Sequence, residues 1–225
     1  MSSLRYQVLA LDFDGVIVDS NDIKTQAIST LFSVEAPRHV DAAVAFHKKH
    51  LGLNRLRKFE LIFRDIIGQP LPEKEAKRLA DEFGNLVKNR VAECELMPGA
   101  KDVLKRFSGR IPIYIVSATP EEELLEILRH QSLLSYFKGV FGSPTTKGDA
   151  LRKICRAHGF SPEELLFVGD STLDFYAAQA ASTDFIGIAS ASEPQSFPPD
   201  VKCIHGLGEL QKWLVPIPAA EHDAQ

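Results

Sequence analysis

The chain has 225 residues, of which 44% are hydrophobic and 25% charged, a composition typical of globular proteins. Its formal net charge of -4 argues against a general nucleic-acid binder, although a local basic site can still bind a small anionic substrate. No apolar run approaches the roughly 20 residues of a membrane-spanning helix, and the start MSSLRYQVLALDFDGV is unlike a signal peptide.

The three cysteines, Cys94, Cys155 and Cys203, are too scattered for a disulfide framework or a zinc site. We expect them to be buried and reduced, as in a cytoplasmic protein.

Short apolar runs alternate with amphipathic helical patterns over most of the chain. The runs predict strands at 7–11, 111–117, 165–169, 184–189 and 201–204. The patterns between them predict helices at 100–107, 121–130, 148–158 and 173–181. This alternation favours a Rossmann-like α/β fold, in which a parallel sheet carries helices on both faces.

The stretch from about 20 to 93 has no convincing strand. It contains four helical patterns, at 22–32, 40–50, 55–66 and 73–90. Because it follows the first strand directly, we expect a helical cap at 19–94, inserted into an α/β core of 1–18 and 95–215. Residues 216–225 are predicted to form a disordered tail.

Two pairs of carboxylates follow predicted strands, at the sheet edge where α/β proteins place their sites. Asp12 and Asp14 stand two residues apart, and Asp170 and Asp174 stand one helical turn apart. Clustered carboxylates are unfavourable unless a cation lies nearby or one of them is protonated, and Mg²⁺ prefers oxygen ligands. A capped turn and a helix cap are the plainer interpretations, but two such pairs in one α/β chain favour a metal site.

Ser117, Ala118 and Lys147 are candidate phosphate-binding residues. The hydroxyl of Ser117 and the backbone N–H of Ala118 follow a strand and could hold a phosphate oxygen, with a plain helix N-cap as an equal alternative. Lys147 precedes a helical pattern and could neutralise phosphate, although an isolated lysine is more often solvated.

The order DFDGV, Ser117, Lys147 and GDSTLD resembles the four motifs of the haloacid dehalogenase-like (HAD) hydrolase superfamily. The resemblance covers nearly the whole chain. It is greatest to the group of phosphoglycolate phosphatases and beta-phosphoglucomutases, which carry a helical cap after the first motif. A phosphoric monoester hydrolase that needs Mg²⁺ is what this resemblance implies.

The resemblance also implies a role for each motif residue. Asp12 corresponds to the nucleophile that forms an aspartyl-phosphate, and Asp14 to the general acid/base. The implied Mg²⁺ ligands are Asp12, the backbone carbonyl of Asp14, and Asp170. Asp174 would support the metal from outside, and the implied phosphate clamp consists of Ser117 and Lys147.

A basic stretch of the predicted cap is the candidate for substrate selection. Arg55 and Lys58 stand three residues apart and could share a helical face, with Arg57 pointing elsewhere. Related caps place an arginine and a lysine here, so we expect Arg55 and Lys58 to bind a second anionic group of the substrate. A solvated basic face is the plainer alternative. His47 and His50 are predicted to be surface or packing residues.

The leading hypothesis is a phosphatase acting on a small phosphorylated metabolite, either a sugar phosphate or a phospho-acid, as a monomer or homodimer. A phosphosugar mutase of the beta-phosphoglucomutase type is the second hypothesis, which Val16 after Gly15 leaves open. A non-catalytic binding protein is the third, and the four intact motifs argue against it. None of the three requires a nucleic acid or a membrane as partner.

Overall fold

The computed structural model describes residues 4–189 and 197–214, so the predicted tail at 216–225 lies outside the described residues. Its strands form one parallel sheet with the order β3-β2-β1-β4-β5-β6. Their bounds are β1 Val8–Leu11, β2 Ile113–Pro120, β3 Gly139–Ser143, β4 Leu165–Gly169, β5 Asp184–Ile188 and β6 Cys203–Ile204.

Five α-helices lie between β1 and β2, and the first four are α1 Asn21–Glu35, α2 Val40–Lys49, α3 Arg55–Ile62 and α4 Glu73–Glu93. The remaining helices are α5 Ala100–Phe107, α6 Glu121–His130, α7 Lys147–His158, α8 Thr172–Ala181 and α9 Gln211–Leu214. None of the helices in the described part of the chain is long and apolar enough to cross a membrane.

Strand β1 is buried on both faces of the sheet. Leu9 and Leu11 belong to one apolar cluster, which includes Leu104 of α5 and Leu124 of α6. Val8 and Ala10 belong to a second apolar cluster, with residues of α7 and α8. Because successive strand residues point to opposite faces, helices cover both sides of the sheet. The predicted Rossmann-like α/β fold is confirmed.

The sheet differs from the prediction at one edge. Strand β3 was missed, because its sequence GVFGS contains two glycines and most of its residues are only partly buried. Strand β2 runs three residues past its predicted end at 117, since Pro120 pairs with Ser143 of β3 after an irregularity that begins at Val116.

Cys94 and Cys203 are partly exposed, so the prediction of buried cysteines holds for Cys155 alone.

We call helices α1–α4 the inserted helices. Two chain segments, at 17–19 and 95–97, connect them to the rest of the protein and lie side by side. Val18 pairs with Leu96 in an antiparallel bridge. The backbone N–H of Asp19 donates to Glu95 O at 2.9 Å, and that of Met97 donates to Ile17 O at 2.9 Å. The division of the chain into a core and a cap at 18/19 and 94/95 stays a prediction.

An aromatic cluster holds the inserted helices together. Phe59 of α3 is fully buried, and its ring centroid lies 6.1 Å from that of Phe32 and 5.9 Å from that of Phe83. These three rings come from α3, α1 and α4, so Phe59 joins three of the four inserted helices.

We expect Phe59→Ala to lower the free energy of unfolding by about 3–5 kcal/mol, because it removes a buried ring and leaves a cavity. Urea unfolding followed by circular dichroism measures the change. Val34→Ala is the control, since Val34 is 76% exposed and its loss should change stability by less than about 0.5 kcal/mol. Similar losses in both variants would contradict this account of the cluster.

Candidate active site

The motif residues converge because β2, β1 and β4 are neighbours in the sheet. Asp12 follows β1, Asp170 follows β4, and Ser117 lies in the second half of β2, so parallel pairing brings them to one edge of the sheet. A cavity of about 40 Å³ opens there between the sheet and the inserted helices. Eight of the predicted site residues line it: Asp12, Asp14, Arg55, Lys58, Ser117, Ala118, Lys147 and Asp170.

Asp12 is a buried carboxylate, with 3% of its surface exposed. Its Oδ1 accepts a hydrogen bond from the backbone N–H of Phe13 at 2.8 Å, and its Oδ2 accepts one from Lys147 Nζ at 2.8 Å. Burial raises the pKa of Asp12 well above its usual value, and the lysine only partly opposes this effect. The site therefore holds negative charge that a further cation would stabilise.

Lys147 bridges two carboxylates, because its Nζ also donates to Asp174 Oδ1 at 2.5 Å. Burial alone would lower the pKa of Lys147, but Asp12 and Asp174 raise it, so the side chain stays an ammonium. Lys147 is the first residue of α7, which the Thr146 side chain caps. The alternative of a solvated lysine is wrong, since the residue is buried.

Asp174 caps the start of α8 and also binds Lys147. Its Oδ2 accepts from the backbone N–H of Ser171 at 3.1 Å and from Ser171 Oγ at 2.5 Å, forming a capping box at the start of α8. Its Oδ1 accepts from Lys147. The helix-cap interpretation of GDSTLD is therefore confirmed, and the same carboxylate positions the lysine beside Asp12. The metal-site interpretation stays a prediction.

The carboxylates of Asp12, Asp170 and Asp174 each place an oxygen within 4.8 Å of the others. Such an all-oxygen set fits Mg²⁺. The pKa of Asp170 is raised to about 7, mainly by burial and then by Asp174, which again indicates uncompensated negative charge. Asp12 and Asp170 line the cavity, whereas Asp174 is fully buried between Lys147 and Ser171, so Asp12 and Asp170 are better placed to hold a metal ion.

The Asp14 side chain lies apart from this carboxylate cluster. Its Oδ1 accepts from Ser20 Oγ at 2.6 Å, and its Oδ2 accepts from Thr119 Oγ1 at 2.9 Å and pairs with Lys24 Nζ. Burial would raise the pKa of Asp14, but Lys24, Ser20 and Thr119 together lower it. The role of its backbone carbonyl as a metal ligand stays a prediction.

Residues of α1 complete the site and were missed from the sequence. Asn21 Nδ2 donates to Asp170 Oδ2 at 2.8 Å, and Lys24 pairs with Asp14. The two stand three residues apart at the start of the helix, so they share a face. A polar pair at this spacing, just after the first motif, is the sequence pattern that could have indicated that both residues reach the site.

Gly15 allows the backbone of the first motif to lie close to the Asp170 side chain. Its φ is +71°, and a Cβ at this position would overlap Asp170 Oδ2.

Ser117 and Ala118 lie within β2, at the cavity wall. Ser117 is buried, and its Oγ accepts from the backbone N–H of Thr119 at 3.2 Å. The residue at the N-cap of α6 is Pro120, so the N-cap alternative for Ser117 is wrong. Phosphate binding by this pair stays a prediction.

Arg55 and Lys58 also face the cavity, but their partners differ. The Arg55 guanidinium pairs with Glu123 of α6 at 2.8 Å and lies over the Phe83 ring. Lys58 is buried, and its Nζ lies 2.9 Å from Nδ1 of His47. Arg57 instead pairs with Glu60 in an exposed position.

The alternative of a solvated basic face is therefore wrong for Arg55 and Lys58. His47 is a buried cavity residue whose contact with Lys58 the sequence did not predict. Because α2 and α3 belong to separate stretches of the chain, only tertiary packing brings His47 and Lys58 together.

Comparison with known proteins agrees with this arrangement. Residues 9–188 match the family described as haloacid dehalogenase-like hydrolase. Phosphoglycolate phosphatase of Escherichia coli strain K12 is 26% identical over 201 residues, which cover 80% of this chain and 80% of the relative. Phosphoglycolate phosphatase 1 of Pseudomonas aeruginosa is 26% identical over 191 residues, covering 78% of this chain and 66% of the relative.

Solved structures show the same fold. The crystal structure of a predicted phosphoglycolate phosphatase from Haemophilus somnus superposes with a TM-score of 0.73 at 18% identity. The match covers 92% of this chain and 97% of that one.

We expect Asp170→Asn to weaken Mg²⁺ binding by about tenfold or more, because it removes one negative charge and one ligand oxygen from the cluster. Isothermal titration calorimetry with MgCl₂ measures the dissociation constant. Asp81→Asn, an exposed change of the same type on α4, should leave it unaltered. Equal affinity in the wild type and Asp170→Asn would count against a metal at this cluster.

Proposed function

Because this chain belongs to the haloacid dehalogenase-like hydrolases and is a phosphatase of that family, we propose that it hydrolyses a small phosphorylated metabolite through an aspartyl-phosphate on Asp12. The substrate would be a sugar phosphate or a phospho-acid. The observation that carries the proposal is the contact of buried Asp12 with Lys147, beside Asp170, at the end of β1.

Asp12 is the candidate nucleophile because its carboxylate lines the cavity at the edge of the sheet. Its Oδ1 is oriented by the backbone N–H of Phe13. Mg²⁺ held by Asp12, Asp170 and the backbone carbonyl of Asp14 would supply positive charge that reduces repulsion between carboxylate and phosphate. Asn21 orients Asp170 for that purpose through its hydrogen bond.

Lys147, Ser117 and Ala118 are the candidates for holding the phosphoryl group. The phosphoryl carries negative charge spread over its oxygens, so positioned donors and cations are the main protein contribution. Lys147 is kept charged by two carboxylates, and Asp174 fixes its position through the cap of α8. Ser117 and the N–H of Ala118 would face the phosphate from within β2.

Asp14 is the candidate proton carrier. Asp12 attacks phosphorus, the ester bond breaks, and the leaving oxygen takes a proton from Asp14. Water then attacks phosphorus and gives a proton to the Asp14 carboxylate, and the bond to Asp12 breaks to release phosphate. The arrival of an anionic phosphate raises the pKa of a neighbouring carboxyl, which favours the protonated form needed in the first step.

The inserted helices would shield these steps from water. Gly52 lies so close to Ser171 that a Cβ would overlap its Oγ. Asn54 donates to Ser143 Oγ, and Arg55 pairs with Glu123, so three contacts join the start of α3 to the sheet side of the cavity.

A cytoplasmic location and a monomeric or homodimeric state stay predictions.

We expect Asp12→Asn to lower phosphate release from a panel of phosphorylated metabolites by at least about a thousandfold, because an amide is a poor nucleophile. Release is measured with Mg²⁺ and with a chelator, which should abolish it in the wild type. Acid-quenched wild-type protein should carry a phosphoryl group on the peptide containing Asp12, as detected by mass spectrometry.

Asp102→Asn, an exposed change on α5, is the matched control and should behave like the wild type. Isomerisation of a sugar phosphate with a bisphosphate activator, without net phosphate release, would favour the mutase. No turnover of any kind by folded protein would favour the binding protein.

A further inference from the structure

Four cationic side chains line the cavity, and three of them already have carboxylate partners. Lys24 pairs with Asp14, Arg55 with Glu123, and Lys147 with Asp12 and Asp174. Within 4–189 and 197–214, Lys58 has no carboxylate at ion-pair distance, and its polar contact is with His47. Lys58 thus brings a positive charge that the described protein groups do not neutralise.

The contact with Lys58 determines where His47 carries its proton. In its ammonium form Lys58 only donates hydrogen bonds, so Nδ1 of His47 then accepts from Lys58 Nζ and Nε2 carries the hydrogen. Burial and the neighbouring Lys58 lower the pKa of His47 to about 2, so the ring is neutral. The result is an oriented imidazole with its N–H on the far nitrogen.

That N–H lacks an acceptor. His47 is 99% buried, with 1% of its surface exposed, and its Nε2 has no hydrogen-bond partner among the described residues. A buried donor without an acceptor is destabilising, because it has lost its hydrogen bond to water. Both His47 and Lys58 line the cavity, so a ligand there can supply the acceptor and the negative charge together.

We propose that Lys58 and the Nε2–H of His47 bind a carboxylate on the leaving group, so that the enzyme selects small phosphorylated hydroxy acids. This inference rests on the proposed function and narrows its substrate class. Arg55 already has Glu123 as its counter-charge, so Lys58 rather than Arg55 is the specificity-determining cation.

Charge favours a carboxylate over the other possible groups. A sugar hydroxyl would accept from His47 but would leave the buried ammonium of Lys58 without a counter-charge. A second phosphate would bring about two negative charges to one unpaired cation. Burial lowers the pKa of Lys58 to about 7, and a bound carboxylate would oppose this shift by stabilising the ammonium form.

The test compares two esters of the same length, phosphoglycolate and 2-hydroxyethyl phosphate, in which a hydroxymethyl group replaces the carboxylate. We expect the wild type to have a kcat/KM at least about tenfold higher for phosphoglycolate. In Lys58→Met, kcat/KM for phosphoglycolate should fall about a hundredfold, the loss typical of a buried charge pair that loses one partner. The value for 2-hydroxyethyl phosphate should change less than about threefold, because no carboxylate is lost from its contacts.

Two further variants test His47 independently of Lys58. His47→Leu removes the N–H and should lower kcat/KM for phosphoglycolate about tenfold, whereas His47→Gln keeps a donor and should recover part of that loss. Arg57→Met lies one residue from Lys58 but is exposed, and it should leave both esters unaffected. Thermal unfolding of each variant confirms that it is folded.

Equal kcat/KM for the two esters in the wild type would overturn the inference, as would equal losses for both esters in Lys58→Met. Preference for a bisphosphate over phosphoglycolate would also overturn it. Hydrolysis of p-nitrophenyl phosphate that depends on Asp12, without selectivity for acids, would leave the proposed function intact. No release from any of these compounds would remove the proposed function and this inference together.

Discussion

The ammonium of Lys147, buried between the carboxylates of Asp12 and Asp174, is the interaction on which the site depends. It joins the end of β1 to the first turns of α7 and α8. Burying carboxylates together is unfavourable unless positive charge lies among them. One lysine offsets only part of that cost, which is why Asp12 and Asp170 still have raised pKa values and why the cluster suits a divalent cation.

The sheet and the inserted helices contribute different side chains to the same cavity. The strand ends bring the carboxylates and the phosphate-binding candidates, whose geometry any phosphate monoester could use. The inserted helices bring Asn21 and Lys24, which orient Asp170 and Asp14, and the pair of His47 and Lys58, which lines the same cavity. Chemistry that is common to a family can therefore combine with a selectivity that belongs to one chain.

Arg55 and Lys58 show how two neighbouring cations acquire different roles. Both project from α3 toward the cavity, yet Glu123 of α6 neutralises Arg55, whereas Lys58 meets an uncharged imidazole. Spacing on a helix predicts that two side chains share a face, but it does not say what lies opposite. The partner decides whether a buried cation holds two parts of the protein together or remains available to a ligand.

The sequence by itself determined the α/β class, most helix bounds and the four motifs, because hydrophobic periodicity and polar strand ends are local signals. Only the tertiary structure decided the existence of β3, the separation of the Asp14 side chain from the carboxylate cluster, and the pairing of Lys58 with His47. These depend on an edge strand of weak propensity and on contacts between distant residues. Such contacts form only when packing brings separate helices and strands together, so no local pattern encodes them.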